Sequence, residues 1–276
     1  MWKYTLLFLA VIPLFAQERV IRFAPLPMVK SEIILKQNQP ALDYLEKATG
    51  YTFKMVYYAD YATLLEKIKD GEVDVAFLGP LPYVTLQQMG AHAQPIVRFV
   101  NKKGEDKYTC SLFVRQDSGL KASDLHDKRI ALTQRLSTCG YLSMENLLRS
   151  AGSSLEKNRY KYMGTHSNSV LAVVMGDADA GGAKTSIVKG YRHLQLHRLL
   201  ETGPLPGFLW VATSALPKPV VTAIRDAMLR LHPLDNAADA RTTHTWWKSI
   251  RYGTVPARDQ DYDVVRDMLK HVTIPK

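Results

Sequence analysis

Between residues 20 and 78 the chain switches repeatedly between strand-like and helix-like apolar spacing, and this alternation limits the possible folds more than any other feature. Residues 20–24 (VIRFA) read as a strand closed by Pro25 and Pro27. Residues 30–48 place Ile33, Ile34, Leu42, Tyr44 and Leu45 where one side of a helix would bury them. Pro40 interrupts that stretch, so the segment is either two short helices or one with a kink. A strand at 52–56, a helix at 61–69, the turn Asp70-Gly71 and a strand at 73–78 follow. The order β-α-β-α-β calls for a parallel sheet with helices on its faces, and such sheets bind ligands beyond the carboxyl ends of their strands. Residues 79–83 (GPLPY) lie at one such end.

A second unit of the same kind follows. Its expected strands are 109–115, 129–132, 161–163 and 178–183, with helices after Gly140 and after Ser169. Residues 208–212 (FLWVA) read as a returning strand, and 220–231 and 262–269 as amphipathic helices with no sheet of their own. These helices pack most simply on the first unit. The expected architecture is therefore α/β, with two lobes joined by two crossover strands. A chain of 276 residues, 46% of them hydrophobic, has ample core for two such lobes.

Residues 1–16 carry Lys3 and then an apolar run from Leu6 to Phe15, too short to span a bilayer and suited to a secretory signal. The division expected from these readings is a signal at 1–16, one lobe from 17–107 plus 206–276, and a second lobe from 108–205. The formal charge of +10 becomes +9 once Lys3 is removed with the signal (35 Lys and Arg against 26 Asp and Glu). The basic residues are dispersed, with no arginine-rich run, which argues against nucleic acid as a partner and for an anionic small ligand or a merely basic surface.

Residues 137–140 (STCG) sit between the strand at 129–132 and a helix opening at 141. Two hydroxyls and a glycine ahead of a helix N-terminus aim free backbone N–H groups and the positive end of the helix dipole at one point, which makes an anion socket. The plain alternative is an ordinary N-cap.

Taken in order, several segments resemble the periplasmic solute-binding proteins of phosphate/phosphonate type, close to the binding component of phosphonate importers. They are 39–46 (QPALDYLE) before Gly50-Tyr51, 71–80 (GEVDVAFLGP), 137–140 (STCG), 164–167 (GTHS), 176–181 (GDADAG), and 255–257 (VPA) with Asp261-Tyr262. The resemblance implies a type II two-lobed clamp, each lobe a mainly parallel sheet with flanking helices, acting as a periplasmic monomer that closes on its ligand. One departure stands out. Cys139 replaces the second serine of the usual Ser-Thr-Ser-Gly, and Cys110 lies on the strand entering the second lobe, a pairing that resembles the arsenic-oxyanion sensing relatives. That branch implies a membrane sensor histidine kinase as partner; the alternative is the permease of an ABC importer for phosphate, phosphite or phosphonate.

On this reading the ligand-binding candidates are Ser137, Thr138, Cys139 and Gly140, with Tyr83 offering a phenolic hydroxyl from the opposite lobe. His166 lines the cleft, Leu26 and Pro27 shape the first-lobe wall, and Lys184 is the nearby cation. Each has a bland counterpart: Tyr83 as a half-buried aromatic, His166 as a surface or core residue, Leu26-Pro27 as a turn. Cys110 and Cys139 admit a structural disulfide, thiolate contact with trivalent arsenic, or a zinc site that two cysteines cannot complete. No Ser-His-Asp order, metal-binding helix or Walker loop is present, and residues 181–185 (GGAKT) lack the earlier glycine of a P-loop. The reading is a binding protein, not an enzyme, with no catalytic residue, cofactor or metal. Arsenate and phosphate are near-isosteric and alike in charge, whereas arsenous acid is neutral at pH 7, so an amide-rich socket suits the former pair.

Overall fold

A computed structural model of the chain describes residues 19–275, so the expected signal segment 1–16 lies outside the described residues. The first lobe opens with β1 (Val20–Ala24), α1 (Ser31–Thr49), β2 (Thr52–Met55), α2 (Tyr61–Lys69), β3 (Val75–Leu78), α3 (Pro80–Gln88) and β4 (Ala93–Phe99). β1 lies between β2 and β3 and is parallel to both, the pairing that the alternating pattern demands. α1 is a single helix that passes through Pro40. The carbonyl one turn back loses its partner, and burial of Ile34, Ala41, Leu42 and Leu45 along one face offsets that loss.

The chain leaves this lobe through β5 (Lys107–Tyr108) and starts the second sheet with β6 (Cys110–Arg115). Then come β7 (Arg129–Leu132), α4 (Tyr141–Ser150), β8 (Arg159–Tyr162), α5 (His166–Val174), β9 (Ala180–Lys184), α6 (Thr185–Gly190) and β10 (Leu196–Glu201). β11 (Leu205–Pro206) pairs antiparallel with β5 to form the hinge. β12 (Leu209–Thr213), α7 (Lys218–Leu229), α8 (Ala237–Thr243), β13 (Thr254–Pro256) and α9 (Asp263–Leu269) complete the first lobe. α7 packs on α1 and β4, whereas α9 packs on both α3 and α4 and so touches the two units alike.

The two sheets have the orders β13-β4-β12-β3-β1-β2 and β10-β6-β9-β7-β8. In each, the strand fed directly from the hinge, β12 or β6, runs antiparallel to both neighbours. It enters at the cleft side, whereas the strands wound through helices end there. Carboxyl ends of β1, β2, β3, β7, β8 and β9 and the starts of β6 and β12 therefore meet at one place between the lobes.

Hydrogen bonds close the lobes over that place. The Leu81 N–H donates to Thr138 Oγ1 at 3.0 Å, and Gln134 Nε2 to the Pro27 carbonyl at 3.3 Å. The guanidinium groups of Arg135 and Arg149 donate to the carbonyls of Pro275 and His271, at 3.1 and 3.0 Å. At the hinge, Arg98 is ion-paired with both Asp106 and Asp261, fixing the segment just before β5 against the late part of the chain. Among the described residues no helix is long and apolar enough to cross a membrane.

Candidate functional site

The loop between β7 and α4 is shaped by one glycine. A Cβ on Gly140 would lie 2.2 Å from the Gln134 carbonyl oxygen, inside any permissible contact, so only glycine lets the loop fold back on itself there. Its own N–H donates to the Ser137 carbonyl at 2.8 Å and the Ser137 N–H to the Gln134 carbonyl at 3.0 Å. Both amides are thus spent on the turn, and Gly140 is not the ligand donor that the sequence reading made it. The N–H groups of Thr138 and Cys139 have no acceptor among the described residues. Ser137, Thr138 and Cys139 all line the cleft, and the Ser137 hydroxyl has no protein partner among the described residues. Thr138 Oγ1 accepts from Leu81, and its hydroxyl faces that of Tyr108.

Cys139 is bonded to Cys110, with Cα atoms 5.2 Å apart. The bond staples the loop to the first residue of β6, and neither sulfur is a thiolate. Cys110 stands opposite Lys184 in the β6–β9 register, so the disulfide, the loop and the lysine form one assembly.

His166 opens α5, because Thr165 caps the helix by accepting from the Asn168 N–H at 3.0 Å. The helix thus begins at His166, ahead of the expected start after Ser169, and projects the imidazole into the cleft. Its Nδ1 accepts from the Lys184 backbone N–H at 3.0 Å. A backbone amide can only donate, so the proton of the neutral ring sits on Nε2. Burial, reinforced by the Lys184 charge, lowers the His166 pKa to about 4. It is an uncharged donor at neutral pH.

The Lys184 side chain also lines the cleft. Its Nζ lies 4.6 Å from the Tyr108 ring centroid and 5.5 Å from that of Phe208. Among the described residues no carboxylate pairs with it, and burial lowers its pKa to about 8. The aromatic faces compensate part of its desolvation. It brings a positive charge to the cleft wall.

Two hydroxyls escaped the sequence reading. Tyr61 is the first residue of α2, placed by Asp60, whose carboxylate accepts from the Thr63 N–H at 2.9 Å. Tyr108 is a hinge residue whose hydroxyl faces Thr138. Both line the cleft, and burial raises the pKa of each well above the usual phenol range, so they remain donors. Met28, Pro82 and Phe208 complete the lining.

Two expectations on the first lobe are corrected. Tyr83 is fully buried and faces away from the cleft, donating to Asp259 Oδ1 at 2.6 Å and resting on Tyr262. Pro82 lines the cleft instead, and the next residue of a helix points about 100° away from it. Leu26 and Pro27 are buried in the wall behind Met28, whose N–H bonds to the Leu26 carbonyl at 2.9 Å; Met28 is the residue that reaches the cleft.

The chain's relatives fit this geometry. The sequence model of the family described as the ABC transporter, phosphonate, periplasmic substrate-binding protein matches residues 23–262. The chain is 28% identical over 271 residues to the phosphate-import protein PhnD of Mycolicibacterium smegmatis, covering 89% of this chain and 84% of that one. Its structure is similar to PhnD1 from Prochlorococcus marinus in complex with methylphosphonate, with a TM-score of 0.77 at 16% identity over 91% of this chain and 97% of that one. It is also similar to a binding protein component of an ABC phosphonate transporter from Pseudomonas aeruginosa, with a TM-score of 0.73 at 18% identity over 91% and 86% of the two chains. The shared fold is the type II two-lobed clamp.

Proposed function

Because the chain belongs to the family of periplasmic substrate-binding proteins of phosphonate ABC transporters, we propose that it captures a small tetrahedral oxyanion, a phosphonate, phosphite or phosphate, between its lobes. The observation that carries this reading is the convergence on one small cleft of the Ser137 and Thr138 hydroxyls, two unpaired loop amides, the His166 Nε2–H and the Lys184 ammonium. Charge-assisted hydrogen bonds of this kind contribute about 1.5–3 kcal/mol each, enough in combination for micromolar or tighter binding. Residues 17–107 with 206–276 act as one jaw and 108–205 as the other. The ligand-loaded closed form is what a membrane permease recognises, at the periplasmic face where a family of this kind works.

The relatives at hand import phosphate or bind phosphonate, which favours the permease over the sensor histidine kinase as partner. The bonded cysteines offer no thiolate to trivalent arsenic, so the feature that suggested the arsenic branch acts as a staple. Isothermal titration of the mature protein with phosphate, phosphite, methylphosphonate, arsenate, sulfate and methanesulfonate tests the proposal. Binding of at least one phosphorus oxyanion, in preference to the sulfur ones, is expected. Binding of none of the phosphorus ligands would overturn it.

A further inference from the structure

Resting on the oxyanion reading, we propose that Lys184 sets the substrate class: the cleft accepts small oxyanions without an amino group and rejects aminoalkylphosphonates. Lys184 ends β9, and its backbone is held on both sides, by His166 Nδ1 and by the Thr185 N–H bond to the Thr109 carbonyl at 2.8 Å. Its ammonium therefore has a fixed origin, above the Tyr108 and Phe208 rings.

No acidic residue is among those that line the cleft. Glu201 and Asp259 have their partners outside the cleft. Glu201 takes the Thr109 hydroxyl and pairs with Arg198, and Asp259 is held by Tyr83, Gln87 and Arg266. A ligand ammonium would enter a low-dielectric space that already holds one positive charge and has no carboxylate to receive it. Like charges so placed repel, and an unpaired buried cation is costly. A phosphonate or phosphate dianion instead brings Lys184 the partner it lacks. The remaining walls, Met28, Pro82 and the Phe208 ring, are apolar and suit a hydrogen, a hydroxyl or a methyl on phosphorus.

The test is calorimetric titration with methylphosphonate and 2-aminoethylphosphonate, on the wild-type protein and on Lys184→Met and Ser137→Ala. The wild type is expected to bind methylphosphonate at least a hundredfold more tightly than 2-aminoethylphosphonate. Lys184→Met should lose tenfold or more for methylphosphonate and bring the ratio below ten, while Ser137→Ala should weaken both ligands and keep the ratio. Equal wild-type affinities overturn the proposal without any variant. So does a ratio that persists in folded Lys184→Met. Failure of the wild type to bind methylphosphonate, phosphite or phosphate at all would instead remove the oxyanion reading beneath it.

Discussion

The backbone N–H of Leu81, at the start of α3, donates to Thr138 Oγ1 at 3.0 Å across the cleft, joining the helix N-terminus of one lobe to the loop of the other. Thr138 therefore has two duties where Ser137 has one. Ser137→Ala should cost about 1.5–3 kcal/mol of oxyanion affinity, tenfold to over a hundredfold, and leave ligand-free melting unchanged. Thr138→Val should lose at least as much and also leave the Leu81 N–H unpaired in the closed form, at a cost of about 1–3 kcal/mol. Titration calorimetry and ligand-free melting on both variants separate the two effects. Equal behaviour would show that the bond between the lobes adds nothing.

The disulfide should matter to fold and site alike. Closing a loop of 29 residues is worth about 3–4 kcal/mol in the chain-entropy treatment. Reduction, or Cys110→Ala with Cys139→Ala, should lower the melting temperature by roughly ten degrees or more and weaken oxyanion binding, because the loop amides lose their anchor. Alkylation and intact mass report the bond, and melting with calorimetry report the consequence.

Both buried bases of the cleft give pH dependence of known sign. His166 is neutral in the fold down to about pH 4, whereas in the unfolded chain it takes up a proton near 6.5. The unfolded state holds more protons in that window, so stability is complete above about 6.5 and declines as the pH falls to 4. His166→Asn, which keeps an acceptor for the Lys184 amide, should flatten this decline in melting scans.

Lys184 gives up its proton near pH 8 in the fold and near 10.4 when unfolded. Ligand-free stability should therefore rise over that interval, again because the unfolded chain binds the extra proton. Oxyanion affinity should fall across the same interval in the wild type and stay level in Lys184→Met. Calorimetric titration from pH 7 to 10 measures it.

Tyr83→Phe should leave oxyanion affinity within twofold of wild type, since its hydroxyl serves Asp259 and Gln87. Stability should fall by about 1–2 kcal/mol, because Asp259 loses a buried donor. A tenfold loss of affinity at unchanged stability would return Tyr83 to the cleft.

The fold was legible because its signals are local. Alternating apolar spacing marks β1 to β3, and the loop with Gly140 announces itself by residue type and position. What escaped depends on angles that spacing does not encode. Tyr83 and Pro82 are neighbours in sequence, yet only one faces the cleft, and the choice is made by where α3 starts. Tyr61 looked like a helix opener, and its role follows from the Asp60 cap that turns it inward. Tyr108 belongs to a two-residue strand too short to carry any pattern. Lys184 was visible as a cation near the socket, while its lack of a carboxylate partner is a property of the assembled cleft alone.

Tyr108 belongs to the hinge pair and also to the cleft wall, and its ring is stacked on Phe208 at 5.9 Å. Phe208 in turn stacks on Phe77 at 5.3 Å, and Phe77 meets the edge of Trp247 at 5.4 Å. A movement of the jaws that shifts Phe208 is thus transmitted by ring contacts to an indole in the first lobe. The protein carries its own optical gauge: intrinsic tryptophan emission can follow capture and release in real time, without a dye and without altering the cleft.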